Sequence, residues 1–167
     1  MKKLDTKQAK KLIMEAPICD YIGKEGAQIL AEHARCLINV KDSEFLFHQG
    51  DVDNCFYIVG EGRLALVKEK KKDKSPQILH VLEKGDLVGE LSFIDETPHI
   101  VSVMALGNAS LLRFKAEDIK PLITEHPKLM FDFMRAIIKR VHHAVATISK
   151  QQLALSDYIS SGGKGRT

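Results

Sequence analysis

Between residues 37 and 114 the chain is cut by glycine turns into short β-like pieces, and this property limits the fold more than any other. The pieces lie at 37–40, 44–47, 55–59, 63–67, 77–82, 100–105 and 110–114, each about a strand long and most rich in β-branched or aromatic residues. The turns between them include Gln49-Gly50-Asp51, Gly60-Glu61-Gly62, Lys84-Gly85-Asp86 and Gly107-Asn108. Glycine permits the positive φ that such turns use. Many short strands with no helix between them read as an antiparallel roll.

The flanks carry a different period. Ala9, Leu12, Ile13 and Ala16 recur at helical spacing before Pro17, and 25–36 forms a second helical stretch with Ile29 and Leu30 on one side. After Phe114 helices are predicted at 116–126 and from Pro127 onward. The expected class is α+β: an antiparallel β-roll (double-stranded β-helix or jelly roll) with N-terminal helices and a long C-terminal helix. The expected segments are 1–36, helical; 37–115, the β-roll; 116–157, the C-terminal helices; and 158–167, a Gly/Ser-rich flexible tail. The charged run 68–76 reads as a solvated hairpin tip.

Composition narrows the function classes. With 167 residues, 44% of them hydrophobic, the chain is long enough for one domain with a real core. The net charge of +3 comes from 25 basic and 22 acidic residues, so no domain-wide basic surface points to nucleic acid. Cys19, Cys36 and Cys55 form no CxxC pair or even-numbered framework, which predicts reduced thiols and a cytoplasmic location. No signal peptide or apolar run long enough for a membrane span is visible.

Along the last helix Met130, Met134, Ile137, Val141, Ala144, Ile148, Gln151 and Leu155 alternate four and three residues apart, a heptad a/d register. Met130 and Met134 are placed to cover the roll. Beyond Val141 the helix outruns a small roll, so Ile137, Val141, Ala144, Ile148 and Leu155 are expected to form a homodimer seam.

The stretch with most chemical content runs Gly85-Asp86-Leu87-Val88-Gly89-Glu90-Leu91-Ser92 and continues through Pro98-His99-Ile100-Val101-Ser102. A glycine followed by a helical turn offers backbone N–H groups at Leu91 and Ser92 to an anion. With the upstream Phe47-His48-Gln49-Gly50-Asp51 turn, the Phe56-Tyr57-Ile58-Val59-Gly60-Glu61-Gly62 hairpin and the closing helix, this order of motifs resembles the cyclic-nucleotide-binding domains of catabolite activator proteins, protein kinase A regulatory subunits and gated channels. The resemblance spans residues 21–152.

The resemblance implies a cassette in which Glu90 hydrogen-bonds a ribose hydroxyl while Gly89, Leu91 and Ser92 carry the amides that hold a cyclic phosphate. It also implies a regulatory role, with cAMP or cGMP as the candidate ligand and no other cofactor. His99 stands where the family has an arginine. Arginine is permanently charged and offers a rigid fork of donors; histidine is shorter and mostly neutral near pH 7. Losing such a bond to a buried phosphate costs about 1.5–3 kcal/mol, roughly ten- to a hundredfold in affinity. Ile100 and Val101, where the family has small residues or a hydroxyl, are expected to crowd the phosphate, and Ser102 restores one hydroxyl. His142 or His143 is the candidate base cap on the closing helix.

Three readings are open at this stage. The module binds a cyclic nucleotide through the amides, Glu90 and His99; or the pocket is retuned or idle and the fold serves dimerisation or docking; or His99, His142 or His143 ligates haem. No HxxxH or carboxylate–histidine spacing marks a metal site. Catalysis is not expected, because no nucleophile elbow, Walker loop or HExxH occurs. Only about a dozen residues follow Leu155, so a helix-turn-helix reading a DNA operator is not expected in this chain.

Overall fold

The computed structural model describes residues 5–70 and 75–160, without the side chains of Ala144, Thr147, Ile148, Gln151, Leu155 and Asp157. Helix α1 (Thr6–Glu15) opens with the Asp5 carboxylate accepting from the Lys7 amide at 3.0 Å. Helix α2 (Cys19–Glu32) follows, bent at Gly23. Cys36 opens strand β1 (Cys36–Val40) rather than closing the helical segment, so the helical region is shorter than 1–36.

The roll continues through β2 (Phe45–Phe47), β3 (Cys55–Lys68), β4 (Gln77–Leu82), β5 (Leu87–Val88), helix α3 (Glu90–Asp95) and β6 (Ser102–Lys115). The sheet order is β1-β6-β3-β4, with β2 also on β6 and β5 on β3. Four predicted pieces merge into two long strands here. Strands β3 and β6 pair antiparallel from Cys55↔Lys115 to Val67↔Ser102. Gly60-Glu61-Gly62 and Gly107-Asn108 bend these strands instead of ending them, with register shifts between Val59 and Glu61 and between Glu61 and Arg63. At Gly62, φ is 77° and a Cβ would come within 2.3 Å of the Asn108 carbonyl oxygen, so the crossing of the two bends admits no side chain. Strand β5 was not foreseen; two residues are too few for a periodic signal.

Alternation along β3 and β6 sorts the core into two layers. Cys55, Tyr57, Val59, Ala109 and Leu111 face the interior of the roll with Phe47 and Val88. Phe56, Ile58, Leu112 and Phe114 face outward to the helices. Both faces are covered, which is why residues 55–60 are all buried. Phe56 stacks on Phe114 at 4.6 Å and meets Phe93 of α3 at 5.0 Å and Phe133 at 5.3 Å between ring centroids.

Two short helices, α4 (Ala116–Ile119) and α5 (Leu122–Glu125), stand where one was expected, divided at Pro121. Helix α6 (Pro127–Ser160) is a single long helix that runs past residue 157, into the segment expected to be tail. The rest of that tail, 161–167, lies outside the described residues, as do 71–74 of the charged loop. Met130 and Ile137 are buried in the same core cluster as Phe56 and Phe133. Ile137 is therefore a core residue and not part of a dimer seam. Among the described residues no helix is long and apolar enough to cross a membrane.

Candidate ligand site

The cassette is held at the mouth of the roll by backbone bonds. Gly85 donates to the Val59 carbonyl at 2.8 Å, Val59 to that of Asp86 at 3.0 Å, and β5 pairs Val88 with Tyr57. Gly89 starts α3 at φ 77°, where a Cβ would stand 3.3 Å from the Cys55 carbonyl and 3.4 Å from Cε1 of His99. Positive φ and close packing both favour glycine there.

Glu90 is half-buried and burial pushes its carboxyl above the ordinary range, partly offset by the charge of Arg140 and reinforced by that of Asp86. Arg140 comes from α6, with Nη1 3.6 Å from Asp86 Oδ1 and Nη2 3.4 Å from the Leu87 carbonyl. The long helix thus meets the cassette through a cation. Leu91 is exposed, Ser92 is buried, and Phe93 anchors α3 on Phe56.

His99 is brought beside the cassette, yet its ring is already engaged. It is buried, stacks on Phe47 at 3.6 Å, and puts Nε2 3.1 Å from Asp53 Oδ1. The other Asp53 oxygen accepts the Tyr57 hydroxyl at 2.7 Å, and burial together with this bond raises the phenol's pKa. Main-chain bonds fix the arrangement, Gly50 donating to the His99 carbonyl at 2.8 Å and His99 to that of Asp51 at 2.9 Å.

The three residues after His99 depart from expectation in different ways. Ile100 is 70% exposed and fills no pocket, because the chain between Pro98 and β6 turns its side chain outward. Val101 is half-buried. Ser102 is fully buried; its hydroxyl accepts from the Gln49 amide at 2.7 Å and donates to Glu69 Oε1. That oxygen is also 2.8 Å from His48 Nδ1, and the two hydrogen bonds lower the Glu69 pKa. Glu69, expected to be a solvated loop residue, is thus a partner of the cassette's outgoing strand. His142 and His143 are exposed on α6, and Arg140 is an α6 side chain that reaches the cassette. Among the described residues no group of three or more His, Cys, Asp and Glu side chains is arranged for a metal ion.

Farther along α6, Val141 is 37% exposed, and Ala144, Ile148 and Leu155 are among the side chains not described. The exposed apolar row is Phe131, Ile138, Val145 and Ile159, spaced by sevens and fourteen. It lies one residue round from the expected row, because Met130 and Ile137 are taken up by the core.

The family model described as "Cyclic nucleotide-binding domain" matches residues 37–126, from the first strand to the end of the short helices. The chain belongs to the cyclic nucleotide-binding domain family. Members of this regulatory, generally non-catalytic family share the antiparallel roll and helices seen here. The chain is similar to the lysophospholipase NTE1 of Chaetomium globosum, 30% identical over 104 residues, or 62% of this chain and 7% of that protein. It is also similar to lysophospholipase NTE1 of Cryptococcus neoformans, 32% identical over 105 residues, or 61% of this chain and 6% of that protein. The chain thus spans under a tenth of the length of these relatives.

Among solved structures, the cAMP-bound regulatory domain of Toxoplasma gondii protein kinase A matches with a TM-score of 0.68 and 22% identity, covering 83% of this chain and 50% of that one. The Thermus thermophilus catabolite activator protein matches with a TM-score of 0.67 and 22% identity, covering 82% of this chain and 63% of that one. Gly89 and Glu90, the residues that the resemblance places in the cassette of a cyclic nucleotide-binding domain, stand together at the start of α3. Asp53, Glu69 and Arg140 were missed from sequence. Of the three, only Asp53 had a nearby cue, sitting two residues past the Gln49-Gly50-Asp51 turn and just before β3.

Proposed function

We propose that this chain is a regulatory module that senses a cyclic nucleotide at the 89–92 cassette and reports occupancy through α6. The observation carrying this reading is the contact of Arg140 with Asp86 and the Leu87 carbonyl, directly before Gly89-Glu90. Glu90 is positioned for a ribose hydroxyl and is electrostatically coupled to Arg140. A ligand that takes Glu90 as a hydrogen-bond acceptor weakens the hold of Arg140 and biases the seating of α6, the two-state coupling that regulation needs. The packing of Phe93 on Phe56, and of Phe56 on Phe133, offers a second route between the same two elements. The matched lysophospholipases suggest a setting in which such a unit controls a larger protein.

Calorimetric titration with cAMP and with cGMP at pH 7 tests the proposal. Saturable binding that disappears in Glu90→Ala is the expected result. Absence of heat at millimolar nucleotide overturns it.

A second reading, a dimerising or docking module with a retuned or idle pocket, is favoured by two pairings. His99, standing where the family has its phosphate-pairing arginine, and Ser102 are engaged by the carboxylates of Asp53 and Glu69. The exposed row Phe131, Ile138 and Val145 is the candidate seam for a second copy. Dimerisation is compatible with both readings, and ligand binding separates them.

A further inference from the structure

Arg113 sits in an unusual place for an arginine. Its strand neighbours Leu112 and Phe114 point to the helices, so Arg113 points into the roll. Register agrees: Cys36 on β1, Arg113 on β6, Tyr57 on β3 and Val88 on β5 form one cross-strand row, and Tyr57 and Val88 belong to the inner layer. The row ends one residue before Gly89.

The guanidinium is under-used where it lies. Nε donates to Cys55 Sγ at 3.2 Å, and a thiol is a weak acceptor. Arg35, Arg135 and Arg140 each stand within ion-pair reach of a carboxylate, whereas among the described residues no carboxylate reaches Arg113. Among the described residues no hydrogen bond to the terminal nitrogens of Arg113 is present, and no side-chain nitrogen is sealed from solvent without a partner, although the residue is half-buried. A half-buried cation with a planar fork of free donors, facing the inside of a roll, is complementary to an oxyanion.

We propose that Arg113 is the cation of the ligand site, pairing from the floor of the roll with the phosphate or other oxyanion of a ligand seated at the cassette. This rests on the ligand-sensing reading above and supplies the charge that His99, held by Asp53, does not. The Cys55 thiol accepts weakly from Nε and leaves the terminal nitrogens without a described partner.

The test follows the Arg113 Nε–Hε resonance by NMR in the full chain during titration with cAMP, cGMP and, separately, inorganic phosphate, with affinities from calorimetry. Expected are a saturable shift of that resonance, a loss of about tenfold or more in nucleotide affinity in Arg113→Met, and a smaller loss in Arg113→Lys. Cys55→Ala, which keeps the charge, retains affinity within about twofold. Its retention separates ligand pairing from a merely structural guanidinium–thiol contact. Wild-type affinity in a folded Arg113→Met overturns the assignment and leaves the sensing reading intact. A phosphate-induced shift without nucleotide binding supports Arg113 as an oxyanion site and counts against the cyclic-nucleotide reading. No shift with any of the three probes overturns the assignment.

Discussion

Asp53 stands between His99 and Tyr57, its carboxylate 3.1 Å from the imidazole Nε2 and 2.7 Å from the phenol oxygen. A residue that sequence comparison places as a poor substitute for a phosphate-binding arginine is therefore part of an internal network, flat against Phe47.

From this network the effect of restoring the arginine follows. In His99→Arg the new guanidinium meets Asp53 before it meets a ligand, so cAMP affinity is expected to rise by less than about tenfold. The double variant His99→Arg/Asp53→Asn frees the guanidinium and is expected to bind more tightly than either single variant. A gain well above tenfold in the single variant, by calorimetry, contradicts the role given to Asp53.

Glu90 predicts a pH dependence. Its folded-state pKa is raised by burial, so the native state holds the proton more tightly than the unfolded chain does. The resulting stability is fully present below the unfolded value near 4.5 and is lost as pH rises through the raised folded value. Glu90→Gln removes the ionisable group. Its stability relative to wild type, measured by urea unfolding, is expected to improve as pH rises from about 4 to 7. Arg140→Met removes the charge that opposes the shift and is expected to steepen the wild-type dependence. A difference between wild type and Glu90→Gln that stays flat with pH counts against the assignment.

Phe56 joins the outer face of the roll to α3 and α6. Phe56→Ala leaves a cavity among Phe93, Phe114 and Phe133 and is expected to destabilise by about 3–5 kcal/mol, read by thermal or denaturant unfolding. A loss below about 1 kcal/mol contradicts this placement.

On α6 neighbouring isoleucines should behave oppositely. Ile137 is 2% exposed and Ile138 is 66% exposed. Ile138→Lys is expected to leave folding intact and to abolish self-association in sedimentation velocity. Ile137→Lys buries a charge and is expected to destabilise the monomer by several kcal/mol. An unchanged sedimentation profile in Ile138→Lys rules out the Phe131, Ile138 and Val145 seam.

The roll was legible because its signals are local. Glycine at 50, 62 and 85 takes positive φ in the turns, and strand composition rises between the turns. Whether Gly60-Glu61-Gly62 ended a strand or bent one was not legible, since the answer lies in the pairing of β3 with a segment some forty residues away. The heptad on α6 was legible as a period, but the burial of Ile137 was not. Packing against Phe56 turned the row with Phe133 and Ile137 inward, and a one-residue rotation separates Ile137 from Ile138.

The amino-acid order alone determined the class of fold and the place of the cassette, because turn residues, strand period and the Gly89-Glu90 signature act over a few residues. Tertiary structure decided the electrostatics of the site. Asp53 is 46 residues from His99 in the chain, Glu69 is 33 from Ser102, and Arg140 is 53 from Leu87. Hydrogen bonds and charges act through space, so only the folded roll determined that His99 and Ser102 would be engaged by carboxylates while Arg113 stayed open.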